Sequence, residues 1–384
     1  MIEVRDNCTG CMACKYICPK AAITMDEDVE GFLYPVINMS KCIGCNICEN
    51  MCPIEKPIDY DSNYEQKYYA ARLINRAQRL ETQSGGVCDC FSTAVVKEGK
   101  GSVYGVGFDD RWNVIHKRAT DIDSIKEFRG SKYVQSNIAN VYETIISDIQ
   151  NEDIQQIVVT GTPCQIAGVK AYLRQKRKQL NKVIFVDIIC HGCPSPKIWR
   201  EYLDTERDKE KILNVKFRDK RFGWGSHSET YMYKNKTTHG RIFTRLFYME
   251  VINRKCCSTC KYTSFKRESD ITVADFWGYK RAGISYDSFG ISECLINTPK
   301  GEQFFNECKE TLDVVSITKG QADQWNLNKP TIVNETKREE FWKLYNEGGY
   351  YAVRDTYCKE EIKNERNLRA FFLLKSLKRI ITGR

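Results

Sequence analysis

Two runs of cysteines with the same spacing constrain this chain more than any other feature of its sequence. Each run has the form Cys-x2-Cys-x2-Cys-x3-Cys-Pro, and the second follows the first at an offset of 34 residues. Thiolates at two-residue steps can wrap one iron–sulfur cube, while the fourth cysteine of each run reaches the other cube. The runs hold eight of the nineteen cysteines, namely Cys8, Cys11, Cys14, Cys18, Cys42, Cys45, Cys48 and Cys52.

This crossed spacing predicts two [4Fe-4S] clusters. Cluster one takes Cys8, Cys11, Cys14 and Cys52, and cluster two takes Cys42, Cys45, Cys48 and Cys18. Zinc knuckles are the alternative, but zinc favours four ligands divided by a longer spacer. A disulfide framework fits less well, because cysteines so closely spaced suit a cluster better than mutual pairing. Residues 1–58 are therefore predicted to be a bacterial two-cluster ferredoxin fold that moves one electron at a time.

The composition, with 42% hydrophobic and 28% charged residues, is that of an ordinary globular protein. No stretch approaches the roughly eighteen apolar residues that span a bilayer, and the first residues lack an apolar signal core. Because iron–sulfur thiolates suit a reducing compartment, a cytoplasmic protein is expected and membrane association is not. The net charge of +9 arises after the acidic first sixty residues. Solvated lysines scattered over the surface explain most of this positive charge.

The rest of the chain alternates strand-like and helix-like segments, which predicts an α/β sheet. After a short hairpin over residues 22–36 and a polar linker at 56–63, strands are expected at 68–72, 103–108, 113–118, 154–160, 183–189 and 270–278. Helices are expected at 85–98, after 161 and from 196. In such sheets the sites gather at the carboxyl ends of the strands. The domains are thus an α+β ferredoxin fold, an α/β body over 65–310 and a helical extension over 311–384, ending in a helix that packs on the body.

A second set of cysteines is placed where predicted strands meet their loops. Two of them follow separate strands, and a Cys-x2-Cys pair precedes the strand at 270–278. Adjacent strands would bring the four together as ligands of a third [4Fe-4S] cluster. Zinc and buried free cysteines are the alternatives. The four are Cys164, Cys190, Cys257 and Cys260, with Cys256 and Cys193 as weaker competitors and Cys88, Cys90, Cys294, Cys308 and Cys358 as packing residues.

A relay of one-electron clusters usually serves a cofactor that exchanges both one and two electrons, most often a flavin. Ser84-Gly85-Gly86 opens a predicted helix, where glycines allow close approach of a pyrophosphate and the helix start supplies free N–H donors. A plain helix cap is the alternative. The segment 129–136 offers hydroxyls, a cation and an aromatic ring, although an ordinary polar turn has the same composition.

In order along the chain, these segments resemble the coenzyme F420 hydrogenase/dehydrogenase beta-subunit family over roughly residues 65–300. A lysine, Lys255, stands where the family usually has a proline before its cysteine pair. The motifs that carry the resemblance are Ser84-Gly85-Gly86, Gly130 to Ser136, Gly161 to Gln165, Cys190-His191-Gly192, Phe217 to Lys220, Cys257-x2-Cys260 and Ser269 to Gly278.

The resemblance implies an FAD-binding body with its own [4Fe-4S] cluster, held by the four cysteines of the second set. It also implies hydride exchange with a deazaflavin, coenzyme F420, or another two-electron substrate, and a redox donor or acceptor protein as partner. Carried over by position, the flavin-side residues are Ser84, Gly85, Gly86, Lys132, Tyr133, Gln135, Ser136 and Thr162.

The main alternative to this oxidoreductase is an electron-transfer subunit that is docked on a larger redox complex and has no substrate chemistry of its own. Nucleic-acid binding is not expected, because the 11% aromatic residues lie mostly in strand-like segments. No catalytic acid or base is predicted; His191 is the best placed, although a turn residue bonded to the backbone suits it better. Lys132, Arg218 and Lys220 could hold an anion, with solvated surface charge as the alternative for the last two.

Overall fold

The computed structural model describes residues 6–365, so the helix expected at the end of the chain, over 366–384, lies outside the described residues. Near the start, a short helix contains the third cysteine of each run, and an antiparallel hairpin lies between the runs. These elements are α1 (Ala13–Ile17), β1 (Ile23–Glu27), β2 (Leu33–Ile37) and α2 (Ile47–Met51). Ile23 pairs with Ile37, which confirms the predicted hairpin.

The sequence repeat is also a repeat of backbone conformation. Gly10 and Gly44 have φ values of +66° and +68°, and Met12 and Asn46, two residues further on, also lie in the left-handed region. Each pair is separated by the same offset as the cysteine runs. Because left-handed residues reverse the chain direction locally, both runs curl in the same way before their helices begin.

The remainder of the described chain contains eleven strands, nine α-helices named below and a further helical segment at 359–365. The strands are β3 (Lys67–Leu73), β4 (Gly101–Phe108), β5 (Val114–Ala119), β6 (Gln156–Gly161), β7 (Val183–Ile188), β8 (Ile212–Lys216), β9 (Glu229–Tyr233), β10 (Thr237–Gly240), β11 (Ile271–Asp275), β12 (Ser292–Ile296) and β13 (Leu312–Ile317). The helices are α3 (Arg76–Glu81), α4 (Val87–Val96), α5 (Ile122–Ile125), α6 (Ala139–Gln150), α7 (Pro163–Gln175), α8 (Pro196–Glu206), α9 (Ile242–Tyr248), α10 (Pro299–Cys308) and α11 (Glu335–Tyr357).

Eight strands form one mixed sheet in the order β13-β3-β12-β11-β7-β6-β4-β5, and β8, β9 and β10 form a smaller antiparallel sheet. The four neighbours β11, β7, β6 and β4 run parallel to one another. Their sequences are nearly continuous apolar runs because helices cover both faces of the sheet. The strands predicted in the body are present, although the one expected at 270–278 ends at Asp275 and is followed by a 3-10 helix over Trp277–Lys280. Together they make the expected mixed α/β architecture.

The helices that follow β6 and β7 begin at well-defined caps. Thr162 and Gln165 form a capping box at the start of α7, with Pro163 in the first turn. Ser195 caps α8 by accepting a hydrogen bond from the backbone N–H of Ile198 at 3.2 Å. Proline at the first helical position is preorganised for the helix and lacks an N–H that would have no partner there. These caps fix the loops at the carboxyl ends of the parallel strands.

The region after residue 310 differs from the predicted helical extension. Leu312–Ile317 is an edge strand that pairs antiparallel with β3, so the sheet continues past the expected domain boundary. Within the described residues, the helical part of the extension is α11, which begins at Glu335 and is interrupted at Gly349, where φ is +65°, and a further helical segment at 359–365. Phe341 and Trp342 on α11 are buried against the α8 side of the body.

The ferredoxin domain is packed directly on α6 and α7 of the body. Tyr142 on α6 donates a hydrogen bond to the carbonyl oxygen of Cys11 at 2.7 Å. Gly168 on α7 faces the same cysteine, and a Cβ added there would lie 2.7 Å from the Cys11 Cβ. The glycine therefore allows the helix to approach the first cysteine run closely. Among residues 6–365, no helix combines the length and apolar character needed to cross a bilayer.

Candidate functional site

Each of the two predicted cysteine quartets lines its own small cavity in the ferredoxin domain. The first cavity is otherwise mostly apolar, with Met12, Met25 and Met51 in its wall. The second also has isoleucines in its wall. Four thiolates in an apolar pocket are a donor set that fits an iron–sulfur cube. The quartets are Cys8, Cys11, Cys14 and Cys52 in the first cavity, and Cys18, Cys42, Cys45 and Cys48 in the second.

The two quartets differ in exposure. Cys14 of the first is buried, whereas Cys45 of the second is exposed. Burial raises the pKa of Cys11 to about 12, so this thiol is neutral until a metal displaces its proton. The first quartet faces the body of the protein, and the second lies towards solvent. A cluster on the second quartet would therefore be placed for electron exchange with an outside partner, and a cluster on the first for electron exchange with the body.

The four cysteines of the second set also come together, from three separate parts of the chain. Cys164 lies in the first turn of α7, Cys190 follows β7, and Cys257 and Cys260 lie in the loop that precedes β11. Burial, followed by the charges of Cys260, Cys190 and Cys257, raises the pKa of Cys164 well above its usual value. Each of these three cysteines therefore lies close enough to Cys164 for its charge to act on that thiol. We call these four residues the inner cysteine group.

Two further cysteines adjoin the inner cysteine group. Cys193, and after it Cys256, holds the pKa of Cys257 well below its usual value, so both adjoin that residue. They are the weaker competitors from the sequence, and the structure places them beside a predicted ligand. Cys90, Cys294, Cys308 and Cys358 are buried away from this group, as expected of packing residues. Cys88, expected to pack as well, is half-buried on the wall of the cavity described next.

Within the described residues 6–365, no three or more His, Cys, Asp or Glu side chains are grouped so as to hold a single metal ion. The chemistry of the inner cysteine group therefore has to be judged from its donor set. Four thiolates suit either an iron–sulfur cube or another soft metal, whereas carboxylates and carbonyls would suit magnesium or calcium.

A cavity of about 780 Å³ opens at the carboxyl ends of β6, β7 and β11. It adjoins the inner cysteine group, because Cys190 and Cys193 line it. Thr162 also lines it, and the Thr162 hydroxyl lies 3.2 Å from the Cys164 sulfur. Pockets for organic cofactors are typically about 300–1,000 Å³ in volume. The predicted flavin-side residues found in its wall are Ser84, Gly86, Lys132, Tyr133, Ser136 and Thr162.

The Ser84 turn forms one end of the cavity and has a strained backbone. Ser84 has φ of +49°, which is uncommon for a residue with a side chain. Its hydroxyl donates to Asp275 at the end of β11, and its carbonyl accepts a hydrogen bond from Lys220 at 2.9 Å. These two partners hold the turn at the start of α4, whose cap residue Gly86 makes no side-chain cap. The first turn of α4 adjoins the cavity, because Gly86, Cys88 and Asp89 line it, and its first N–H groups have no partner within the helix.

The charged residues behind this turn are buried. Solvated surface charge, the alternative offered by the sequence, is therefore wrong for them. Arg218 is buried, lines the cavity and pairs with Asp275, and it donates to the Trp224 carbonyl at 2.7 Å. Lys220 is also buried, and it donates to three backbone carbonyls. Burial lowers the pKa of Lys220 to about 7. Lys220 is thus a support for the Ser84 turn and does not line the cavity.

The segment 129–136 forms a second wall. Arg129 pairs with Asp89 in the first turn of α4 through two hydrogen bonds of 2.7 and 3.0 Å, which fixes the segment against that helix. Lys132 donates to the carbonyls of Glu127 and Arg129, and burial lowers its pKa to about 7. Tyr133 stacks on Phe247 with ring centroids 4.6 Å apart. An anion bound beside Lys132 would favour its charged form.

Two of the predicted flavin-side residues do not line the cavity. Gly85 is packed beneath the sheet, where an added Cβ would meet the Ala71 carbonyl and would lie 2.7 Å from the Ser292 backbone nitrogen. Gln135 points to the ferredoxin domain, donates to the Thr9 carbonyl at 2.8 Å and accepts from Arg254 at 3.1 Å. The motif spacing could not reveal these directions, because alternate residues of an extended segment face opposite sides.

A chain of hydrogen bonds runs behind the cavity wall. Thr162 donates to the Gln165 side-chain oxygen, Gln165 donates to Ser136, and the Ser136 hydroxyl lies 3.1 Å from His116 Nδ1. His116 Nε2 lies 2.9 Å from the Thr160 carbonyl. Because a carbonyl only accepts, Nε2 carries the proton. Burial lowers the pKa of the imidazole and so favours its neutral form, in which Nδ1 accepts from Ser136, and the ring orders two of the predicted site residues.

The pH dependence of stability should report this buried imidazole. Burial lowers the pKa of His116 from 6.5 to about 4. Stability that is fully present above pH 6.5 should be lost as the pH falls through about 4, by up to about 3 kcal/mol, because only the unfolded chain takes up the proton in this range. Anaerobic thermal unfolding of the wild type and His116→Gln between about pH 4.5 and 7.5 checks this. Parallel midpoint curves for the two proteins would contradict it.

His191 lies on the cavity wall and is held by side chains. Its Nε2 lies 2.9 Å from Glu250 and its Nδ1 lies 3.2 Å from Asn326. The expected bond from a turn imidazole to the backbone is therefore not what fixes the ring. His227 also lines the cavity, and burial lowers its pKa to about 4, with the Tyr248 hydroxyl 2.7 Å from its Nδ1.

Sequence reasoning missed several residues of the cavity. Three aromatic side chains on its wall remain about half exposed: Tyr248 at 44%, Trp277 at 45% and Trp325 at 50%. Asp275, which joins Ser84 to Arg218, was predicted as part of a strand and of the motif Ser269 to Gly278, but not as a site residue. The signal for Asp275 was its position at the carboxyl end of a strand, where site residues gather. The half-exposed aromatic residues left no local signal.

The chain is similar to known proteins in both of its parts. The family described as the C terminus of the coenzyme F420 hydrogenase/dehydrogenase beta subunit matches residues 154–320, and the 4Fe-4S dicluster domain matches residues 7–56. The F subunit of the F420H2 dehydrogenase of Methanosarcina mazei is 22% identical over 335 residues, which covers 82% of this chain and 86% of the relative. An uncharacterized ferredoxin of Methanocaldococcus jannaschii is 30% identical over 74 residues, which covers 17% of this chain and 95% of the ferredoxin.

Among solved structures, a chain of the F420-reducing [NiFe] hydrogenase complex from Methanosarcina barkeri matches with a TM-score of 0.50 and 15% identity. The match covers 76% of this chain and 96% of that chain. At this level of identity the likeness concerns the fold. It supports the mixed α/β architecture derived from the strands and helices above.

Proposed function

We propose that this chain, which is similar to the coenzyme F420 hydrogenase/dehydrogenase beta subunit over residues 154–320 and to the 4Fe-4S dicluster domain over residues 7–56, is an FAD-dependent iron–sulfur oxidoreductase. Electrons pass between an outside partner and the 780 Å³ cavity through cluster two, cluster one and a third cluster on the inner cysteine group. A hydride is exchanged at the cavity with coenzyme F420, a deazaflavin, or with another two-electron substrate.

The single observation that carries this proposal is the position of the cavity. It lies at the carboxyl ends of parallel strands, where cofactors bind in open α/β sheets, and Cys190 of the inner cysteine group forms part of its wall. A redox cofactor in the cavity would therefore adjoin a cluster. FAD, when bound, supplies the exchange between one-electron and two-electron steps that the clusters alone do not provide.

The residues of the wall fit a nucleotide cofactor. The N-terminal end of α4 offers backbone N–H groups to a pyrophosphate, and Lys132 adds a cation on the neighbouring segment. Gln83 Nε2 and Arg218 Nε are buried on this cavity and have no hydrogen-bond partner among the described residues. Buried donors without partners are uncommon in folded proteins, so they favour a polar ligand at this site.

The half-exposed aromatic residues suggest where the second substrate docks. Trp277 and Trp325 offer flat apolar faces on the cavity wall, and Arg281 adds a positive charge there. A planar heteroaromatic substrate with an anionic tail, such as a deazaflavin, would match both features. His191 and His227 are the two imidazoles that could orient such a ring, since each is already fixed by a second side chain.

We also propose that the chain works with a protein redox partner. Two of its relatives are, by name, a subunit and a chain of a complex. Around cluster two, Met39 is 63% exposed and Ile43 is 60% exposed, next to the exposed Cys45. Large exposed apolar side chains beside a solvent-facing cluster suit a docking surface for an electron carrier or a larger redox enzyme.

The proposed function is tested on anaerobically purified chain reconstituted with iron, sulfide and FAD. We expect retained FAD in about equimolar amount, and its reduction by reduced coenzyme F420 or by a reduced viologen dye. A protein that holds its clusters but retains no FAD would refute the flavin site and leave the docked electron-transfer subunit. Turnover of coenzyme F420 by the isolated chain would exclude that alternative.

A glycine pair gives a matched test of the FAD site. Gly86→Ala should weaken FAD retention at least about tenfold, because φ is +85° and the added methyl would lie 2.5 Å from Leu73 Cδ1 and 2.8 Å from Thr82 Oγ1. Gly99 follows the same helix, also has positive φ and has open space around it. Gly99→Ala carries the same backbone strain away from the cavity. Equal FAD loss in both variants would contradict the prediction.

A further inference from the structure

We propose that Arg254 connects cluster one to the inner cysteine group and raises the reduction potential of cluster one. This inference rests on the proposed function, because it needs both sites to hold clusters. No sequence motif singled out Arg254. It lies in the loop before the Cys257-x2-Cys260 pair, and it is 1% exposed.

The Arg254 guanidinium is bound to the ferredoxin domain by several hydrogen bonds. Nε donates to the carbonyl oxygen of Cys8 at 2.6 Å, and Nη2 lies 3.8 Å from the Cys8 sulfur and donates to the Leu33 carbonyl at 2.9 Å. The guanidinium carbon lies 4.1 Å from the centroid of the Tyr34 ring. The side chain is therefore directed at one predicted ligand of cluster one.

The backbone of Arg254 belongs to the other site. Its N–H donates to the Cys193 carbonyl at 2.9 Å, and its carbonyl accepts from the Cys257 N–H at 2.9 Å. One residue thus touches a ligand of cluster one through its side chain and is hydrogen-bonded to a predicted ligand of the third cluster through its main chain. A continuous path of covalent and hydrogen bonds runs between the two sites through Arg254.

The charge of Arg254 acts on the electron that cluster one accepts. Reduction adds one negative charge to the cluster without making or breaking a bond, and a one-electron carrier docked at cluster two supplies that electron. A buried guanidinium that hydrogen-bonds a ligand sulfur stabilises the reduced cluster more than the oxidised one. Among the described residues, no carboxylate is hydrogen-bonded to Arg254, and its side-chain acceptors are carbonyls, the Gln135 amide and the Cys8 sulfur. Its charge is therefore not neutralised by these partners.

Arg338 provides a matched control. It is also a buried arginine that ties the ferredoxin domain to the body, because it pairs with Glu30 and donates to the Asn253 carbonyl at 2.8 Å. Within the described part of the chain, its side-chain hydrogen bonds involve no cysteine. Loss of Arg338 would weaken domain packing without removing a charge from a cluster ligand.

The test is a potentiometric titration, followed by electron paramagnetic resonance, of full-length reconstituted protein. Arg254→Met should lower the reduction potential of cluster one by at least about 59 mV, a tenfold change in a one-electron equilibrium. Arg254→Lys, which keeps the charge, should shift it less. Gln135→Glu places a carboxylate beside the same guanidinium and should also lower the reduction potential of cluster one. This second variant keeps the test possible if Arg254→Met does not assemble its clusters. Arg338→Met should leave the potential unchanged.

The outcomes separate this inference from the proposed function. An unchanged potential of cluster one in Arg254→Met, or in Gln135→Glu if the former does not assemble, would overturn the role of Arg254 alone. An equal shift in Arg338→Met would overturn it too, because domain packing would then be the cause. Wild-type protein without a signal from cluster one would overturn both this inference and the proposed function. The titration needs no FAD, so loss of FAD leaves its result valid.

Discussion

Replacing Cys52 with alanine is expected to remove cluster one and to leave cluster two in place, although Cys52 belongs to the second cysteine run. Cys52 shares a cavity with Cys8, Cys11 and Cys14, and it does not line the cavity of Cys42. A [4Fe-4S] cube that loses one of four thiolates loses much of its affinity. Iron and sulfide analysis after anaerobic reconstitution should give about four fewer iron atoms per chain than in the wild type.

Double variants distinguish crossed from uncrossed ligation. If Cys52 and Cys11 bind the same cluster, the double variant should lose no more iron than either single variant. Cys52→Ala combined with Cys45→Ala should lose about eight iron atoms, because both clusters are then broken. Uncrossed ligation makes the opposite prediction for the two pairs. Additive losses for Cys52 with Cys11 would show that the quartets have been assigned wrongly.

Replacing Cys190 with alanine should remove about four iron atoms from the inner cysteine group, whereas replacing Cys193 should remove none. The two residues are close in sequence, and both line the cavity. Cys190 is one of the neighbours whose charges act on Cys164, while Cys193 adjoins Cys190 and Cys257. We expect Cys193 to donate to a ligand sulfur without binding metal itself.

The controls for this prediction lie in the same chain. Cys256→Ala should behave like Cys193→Ala, and Cys358→Ala, a buried cysteine far along the chain, should leave the iron content unchanged. Zinc measured on the same samples decides the metal of the inner cysteine group. Iron lost with Cys193 or Cys256, but retained with Cys190, would mean that the ligand set differs from the one proposed. About one zinc per chain in place of four iron atoms would remove the third cluster.

The ferredoxin domain was almost completely predictable from sequence, because its ligands are local. Three cysteines at two-residue steps and a fourth before proline fix the curl of each run within about ten residues. The crossing of the fourth cysteine follows from the same short spacing. The left-handed conformations at Gly10 and Gly44 repeat in the backbone with the same offset as the cysteine runs in the sequence.

The strands and helices that carry the candidate site were also predictable, and the directions of its side chains were not. Apolar runs followed by capping residues identified β6, β7 and the helices after them. No local pattern indicated that Gln135 faces the ferredoxin domain, that Lys220 supports the Ser84 turn, or that Arg218 is buried. Those directions depend on which strands become neighbours and how far each segment twists.

The sequence by itself determined two cysteine quartets and an α/β sheet whose site lies at the carboxyl ends of its strands. Both follow from interactions within about ten residues, that is, ligand spacing, apolar runs and helix caps. The order of the strands also predicted that the four cysteines of the second set lie together. Only the tertiary structure decided that a 780 Å³ cavity adjoins them and that Arg254 links this group to Cys8. Contacts between residues far apart along the chain depend on topology and packing, which leave no local pattern in the sequence.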